Sequence, residues 1–263
     1  MHGRRRNRGF TLIEILAVLV LIAILSTFVL GFFNGVFDQY RMGEGMAKLS
    51  TRGQVVVEQF TRYLRKAVPN SVRLSPTGHC VEFMPTSLAV PYLSDVPTAS
   101  NGASATTIIP VSIAQAPSPA PPYAVVAPGN QSEVYQSGEP SARANVSAVS
   151  STAVTLSPAH RFLNNSVSSR LYLGEAPKVY CVTSNELRLH EGYTFVTASF
   201  TGPPSNGTTA LVASGTANNG ANPIFTIDLD TQSGYGIVKM ELVLSERDWS
   251  LPIEHSVVIR NAP

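Results

Sequence analysis

Glu14 is the one ionisable side chain between Phe10 and Phe33, a run otherwise made of Leu, Ile, Val, Ala and Phe with a few small residues. A charge in such a run costs several kcal/mol in lipid unless a counter-charge meets it, so a carboxylate there is a functional candidate and needs a cation. Snorkelling to the headgroups near the helix end is the other reading of Glu14. The remaining residues with chemistry to offer are two cysteines, Cys80 and Cys181, and five scattered histidines. Both cysteines lie in strand-like surroundings on the exported side of the apolar run, where oxidation favours a disulfide; closing a loop of about 100 residues contributes roughly 4.7 kcal/mol on the chain-entropy model. Two buried free thiols are the alternative. A metal pair through His79 and His190 needs two more ligands in consistent geometry, which spacing alone does not supply.

The element that must hold Glu14 is an apolar helix. Arg4, Arg5, Arg6 and Arg8 precede Gly9, and positive charge ahead of an apolar span keeps its amino end in the cytoplasm and sends the carboxyl end out. After Leu25 the chain reads Ser-Thr-Phe-Val-Leu-Gly-Phe-Phe, without an A-x-A cleavage site, so the span is retained. From Ile15 to Phe33 it covers roughly 28 Å, close to the hydrocarbon thickness of about 30 Å.

The run Gly9-Phe10-Thr11-Leu12-Ile13-Glu14 behind a short basic leader resembles the signal of type IV pilins and type II secretion pseudopilins. That resemblance implies cleavage by a prepilin peptidase between Gly9 and Phe10, methylation of the new Phe10 amine, and a Glu14 that meets the Phe10 amine of a neighbouring subunit. It also implies an inner-membrane, single-pass protein with its carboxyl-terminal domain in the periplasm, or in a filament or at its tip after assembly. The implied partners are other minor and major pilins or pseudopilins and the inner-membrane assembly platform. With the leader removed, the formal charge falls from +2 to −2. No stripe of Lys and Arg interleaved with aromatics remains, and no nucleic-acid partner is expected.

Helical periodicity continues past the span. Met42, Met46, Leu49, Gly53, Val56, Phe60, Tyr63 and Ala67 recur at spacings of four and three, with Arg41, Glu44, Lys48, Arg52, Glu58, Arg62 and Arg65 largely elsewhere. The expectation is one helix from Phe10 to Val68, ended by Pro69, roughly 88 Å long if continuous. Gly31, Gly35, Gly43 and Gly45 each weaken it by about 1 kcal/mol relative to Ala. The stripe fits packing on a globular core; a coiled coil is the rival, with few heptads and a central Gly against it.

Beyond Pro69 the period changes to two. Strands are expected at 71–75, 80–84, 179–183, 186–193, 224–229, 236–244 and 255–260, with Ser184-Asn185 as a hairpin connection. Residues 96–158, rich in Pro, Ala and Ser, and 202–223, rich in Gly, Asn, Thr and Ala, read as loop excursions, some of the first pairing as short strands. The expected fold class is α+β. It is the type IV pilin-like fold, in which a long amino-terminal helix, transmembrane and then amphipathic, packs on an antiparallel β-sheet domain with long loop insertions. The expected organisation is a leader at 1–9, a transmembrane helix half at 10–33, an amphipathic half at 34–68 and a β-rich periplasmic domain at 70–263.

No G-x-S-x-G, H-E-x-x-H, phosphate loop or C-x-x-C occurs, so no catalytic residue is nominated and no enzyme, cofactor or metal is expected. Asp228-Leu-Asp230-Thr-Gln-Ser-Gly234 faintly resembles a calcium loop but lacks the sixth-position Gly and has Lys239 in place of the terminal Glu; it reads as a turn after a strand. The run Arg62–Arg73, Cys80-Val-Glu-Phe83 and the carboxyl end from Ile253 are similar to minor pilin-like proteins of mannose-sensitive hemagglutinin (MSHA) pilus systems and, more loosely, to the larger J-type minor pseudopilins of type II secretion. This implies a subunit that primes or caps a filament, its excursions too bulky for a repeating lattice; those excursions offer surface for adhesion, and variable, inert loops are the equal alternative. A membrane-anchored periplasmic receptor is the reading that does not need Glu14.

Overall fold

The computed structural model describes residues 9–193, 199–218, 220, 222–230 and 234–260; Arg4, Arg5, Arg6 and Arg8 of the expected leader lie outside them. The chain divides into two compact units, Met1–Lys48 and Leu49–Pro263. In chain order the elements are α1 (Leu12–Arg65), β1 (Arg73–Leu74), β2 (Cys80–Phe83), β3 (Thr86–Pro91), β4 (Ala105–Ile108), β5 (Tyr123–Val126), α2 (Gln131–Tyr135), β6 (Arg143–Val149), β7 (Val154–His160), β8 (Arg170–Gly174), β9 (Lys178–Thr183), β10 (Glu186–Glu191), β11 (Thr208–Ser214), β12 (Phe225–Asp230), β13 (Tyr235–Glu246) and β14 (Trp249–Arg260). A long apolar amino-terminal helix followed by antiparallel sheets makes the chain α+β, with a layout that fits the pilin-like arrangement.

In the first unit, α1 from Leu12 to Phe33 is apolar apart from Glu14, and its described side chains are exposed. Its best 18-residue window has a mean hydropathy of 2.9 and none of it is buried; among the described residues α1 is the one helix long and apolar enough to cross a membrane. The hydroxyls of Ser26 and Thr27 donate to the carbonyls of Ala23 and Ile24 at 2.9 and 2.7 Å, so the helix itself satisfies them. Phe32, Phe33, Phe37 and Tyr40 gather toward the carboxyl end of the apolar run, where interfacial aromatic residues are enriched in membrane helices.

In the second unit, Leu49, Gly53, Val56, Phe60 and Leu64 of α1 are buried, a stripe at spacings of four and three. Met42 and Met46, expected on the same stripe, are exposed. Phe60 stacks on Phe225 with ring centroids 5.6 Å apart and tilts against Tyr180 at 5.8 Å. Gly53 is where β14 comes closest: a Cβ there would lie 2.8 Å from Ile253 Cδ1. The helix ends at Arg65, three residues before the expected Val68. The reason is competition for backbone groups, since Val68 N–H donates to the Met84 carbonyl at 2.8 Å and Thr86 N–H to the Lys66 carbonyl at 2.6 Å.

Two sheets lie beneath this stripe, ordered β1-β2-β9-β10-β11 and β12-β13-β14, every pairing antiparallel. Ser184 and Asn185 both have positive φ, 51° and 63°, the conformation of a two-residue type I′ hairpin turn. Cross-strand partners share a face. Val81, Phe83, Tyr180, Leu187 and Leu189 therefore meet α1, while Cys80, Glu82, Cys181 and His190 look away from it.

Residues 96–158 are not a loop excursion. They supply β4, β5, β6 and most of β7 to a six-stranded sheet ordered β3-β8-β5-β6-β7-β4, and carry the short helix α2 between β5 and β6. Its two edges join: Tyr92 bridges Pro110, Leu93 N–H donates to the Ile109 carbonyl at 3.0 Å, and Val111 N–H donates to the Pro91 carbonyl at 2.8 Å. The sheet is thus a small closed barrel, with register shifts in the β3–β8, β4–β7 and β6–β7 pairs that let short strands curl. Val90, Tyr92, Ile108, Ala124, Val126, Leu156, Phe162, Leu171 and Leu173 form its core. Within 202–223, likewise, β11 pairs with β10.

Candidate functional site

The amino-terminal constellation is built by the first turn of α1. Gly9, Phe10 and Thr11 precede the helix, and Leu12 is its first residue. The Thr11 carbonyl accepts from the N–H groups of Glu14 and Ile15 at 3.1 and 3.3 Å. Phe10 was expected inside the helix, one turn from Glu14; it lies two residues outside. The first N–H groups of any helix lack intrahelical partners and carry partial positive charge, so a carboxylate in the first turn is favoured locally. Thr11 and Glu14 also have the spacing of a capping box, Thr-x-x-Glu, which marks where the helix starts.

Around Glu14 the surface is apolar and open: Phe10 is 79 % exposed, Leu12 84 % and Ile13 74 %. Among the described residues of the first unit, nothing covers these side chains. The geometry presents a peptide junction, Gly9–Phe10, outside the helix at the tip of an apolar rod, with one carboxylate four residues further on.

The second constellation lies on the β2–β9 face turned away from α1. Cys80 and Cys181 are disulfide-bonded, with Cα atoms 4.2 Å apart and directly opposite in register. Val182 N–H donates to the His79 carbonyl at 3.0 Å, which makes the flanking pair hydrogen-bonded and the cysteine pair the narrow, non-hydrogen-bonded type. Both sulfurs are used in the bond, so neither is a thiolate for metal. Among the described residues no group of three or more His, Cys, Asp or Glu is arranged to hold a metal ion. Asp228 and Asp230 belong to β12, and residues 231–233 of the calcium-like turn lie outside the described residues.

Beside the disulfide, Arg73 and Glu82 form a buried ion pair, and Tyr193 donates its hydroxyl to the other Glu82 oxygen. The Arg73 guanidinium also lies 3.6 Å from the centre of the Tyr135 ring. Burial and the Glu82 charge push the Tyr193 and Tyr135 hydroxyls well above their usual pKa, so both remain neutral donors. These four residues escaped sequence reasoning. The available signal was a charged residue inside each of two short apolar strands, Val-Arg-Leu and Val-Glu-Phe. An open depression of about 610 Å³ is lined by Leu74, Ser75, Pro76, Thr77, Gly78 and Phe225 among others, with no titratable side chain in its lining.

Residues 4–30 match the family model described as the prokaryotic N-terminal methylation motif. No curated protein and no solved structure matches the chain. The motif is the type IV pilin and pseudopilin signal, so the match implies a pilin-like or pseudopilin protein, and α1 is consistent with a membrane-anchored single-pass chain. The same signal points to a structural subunit rather than an enzyme, and to encounters with a prepilin peptidase and with other pilins in general.

Proposed function

We propose that this chain is a minor subunit of an MSHA-type type IV pilus, cut between Gly9 and Phe10, methylated on Phe10, and engaged in assembly, priming or tip capping. The observation that carries the reading is the lone Glu14 in the first turn of α1, an exposed apolar helix, in a chain whose residues 4–30 match the methylation motif. Cleavage makes an ammonium at Phe10, and in lipid each charge needs the other. Removing one partner of a dry ion pair costs about 3–5 kcal/mol, so subunits that satisfy both charges across a contact are favoured and held in register. On this reading the amino end lies in the cytoplasm and the β-rich domain of residues 70–263 in the periplasm, with other pilins and the inner-membrane platform as partners.

The inserted barrel supports a low-abundance role, because each copy in a repeating lattice would have to accommodate it. Similarity of Arg62–Arg73, Cys80–Phe83 and the end from Ile253 to the MSHA biogenesis protein MshO supports the pilus assignment; the looser similarity to J-type minor pseudopilins makes a type II secretion pseudopilus the second reading. Glu14→Ala tests the common part. It should leave membrane insertion intact while removing the subunit from sheared filaments or abolishing their initiation; unchanged incorporation would favour an anchored receptor.

A further inference from the structure

The barrel is an insertion with a narrow neck. The chain leaves the scaffold sheet from β2, builds β3 to β8, and returns as β9, and β2 and β9 are paired neighbours in the middle of that sheet. At the barrel's mouth Thr86 pairs with Gly174, and Glu175 N–H donates to the Pro85 carbonyl at 2.8 Å. Entry and exit are therefore adjacent, the arrangement in which an inserted module can fold around its own core. Separate cores lie under α1 and inside the barrel, with a smaller cluster between them at the neck. The contacts across the neck include the Arg73 guanidinium over the Tyr135 ring. Val68 and Met84 pack with Val125, Val134, Tyr135 and Tyr172, the Tyr135 hydroxyl donates to the Ser71 carbonyl at 2.7 Å, and Asn70 Nδ2 donates to the Pro128 carbonyl at 2.7 Å.

The disulfide sits on this neck, on its scaffold side. Cys80 opens β2 and faces Cys181 across the pair, so the covalent loop of sequence separation 101 encloses the barrel and leaves β1, β10 to β14 and α1 outside it. Without the bond, the barrel and the two central scaffold strands are one continuous chain, and opening of the barrel can peel β2 from β9 and run on into the sheet. With it, the two strands are tied at the point where they enter the scaffold. The bond is 2 % and 0 % exposed at its two residues, under Tyr193 and Phe200.

We infer that Cys80–Cys181 is a clamp that uncouples the barrel from the scaffold, so that the barrel can open or bear load without unravelling the sheet beneath α1. Its use under load rests on the reading of the chain as a filament subunit; the uncoupling itself does not depend on processing or assembly, and the two can fail separately.

Hydrogen exchange on the detergent-solubilised full chain tests it. Phe162→Ala empties the centre of the barrel core, and amides of β5 and β8 should then exchange about 100-fold faster than in the parent. With the disulfide intact, amides of β10 and β13 should stay within about threefold of the parent. After reduction of the same folded variant, or with Cys80→Ser and Cys181→Ser added, amides of β2, β9 and β10 should accelerate together with the barrel. Scaffold strands that accelerate with the barrel while the bond is intact would overturn the inference, as would scaffold protection indifferent to the bond's loss. Should the double serine variant fail to fold, the disulfide-intact and reduced measurements on Phe162→Ala decide.

Discussion

Arg73 and Glu82 are cross-strand partners on β1 and β2 and pair as ions with side-chain exposures of 10 % and 1 %, on the sheet face opposite α1. Burial of both charges means neither can be rescued by water when the other is removed. The pair anchors two further groups, the Tyr193 hydroxyl on Glu82 and the Tyr135 ring under Arg73.

Glu82→Ala should therefore destabilise the second unit by about 3–5 kcal/mol, because the Arg73 charge is left without its anion. Tyr193→Phe removes one hydroxyl donor and should cost about 1–3 kcal/mol. Denaturant midpoints at constant slope measure both, and equal losses for the two variants would argue against a dominant ion pair.

The helix stripe predicts a sharp contrast along α1. Phe60→Ala removes a ring held between Phe225 and Tyr180 and should cost about 3–5 kcal/mol. Met46→Ala, on an exposed residue, should change stability by less than about 0.5 kcal/mol. Comparable losses at both positions, read from thermal or chemical unfolding, would mean the buried stripe extends further toward the amino end.

Sequence pattern revealed this stripe from Leu49 onward because a helix face repeats locally, every three or four residues. Most scaffold strands were legible too, as in Cys80–Phe83 and Lys178–Thr183, where apolar runs stand between turns, but β11, inside the 202–223 stretch, was not. The barrel was not. Its strands β4 and β5 are four residues long, β6 and β7 are broken by a register shift at Val146/Ala148, and prolines interrupt the stretch around them. Its closure depends on Tyr92 meeting Pro110, a pairing that no local period announces. At the amino-terminal site, Gly9, Phe10 and Glu14 stood out by type and spacing, but the start of the helix at Leu12 depended on backbone capping by Thr11, which periodicity does not report.

His190 gives a pH dependence with a definite sign. It is buried on β10, neither ring nitrogen has a hydrogen-bond partner among the described residues, and burial, aided by the Arg188 charge, lowers its pKa below the usual 6.5. The unfolded chain then binds a proton that the folded one refuses, so stability falls as pH drops from 6.5 toward the lowered value and is level above and below that window. His190→Leu should show a smaller loss of melting temperature between pH 7.5 and pH 5 than the parent. An identical loss would assign the acid sensitivity to other groups.

The central claim is that a cut after Gly9 exposes the cation that Glu14 requires. Intact-mass and amino-terminal peptide analysis of the chain purified from cells containing a prepilin peptidase tests it most directly. The predicted result is a mature chain that begins at Phe10 and carries one methyl group on its amine; an intact Met1, or an end at any other residue, would contradict it.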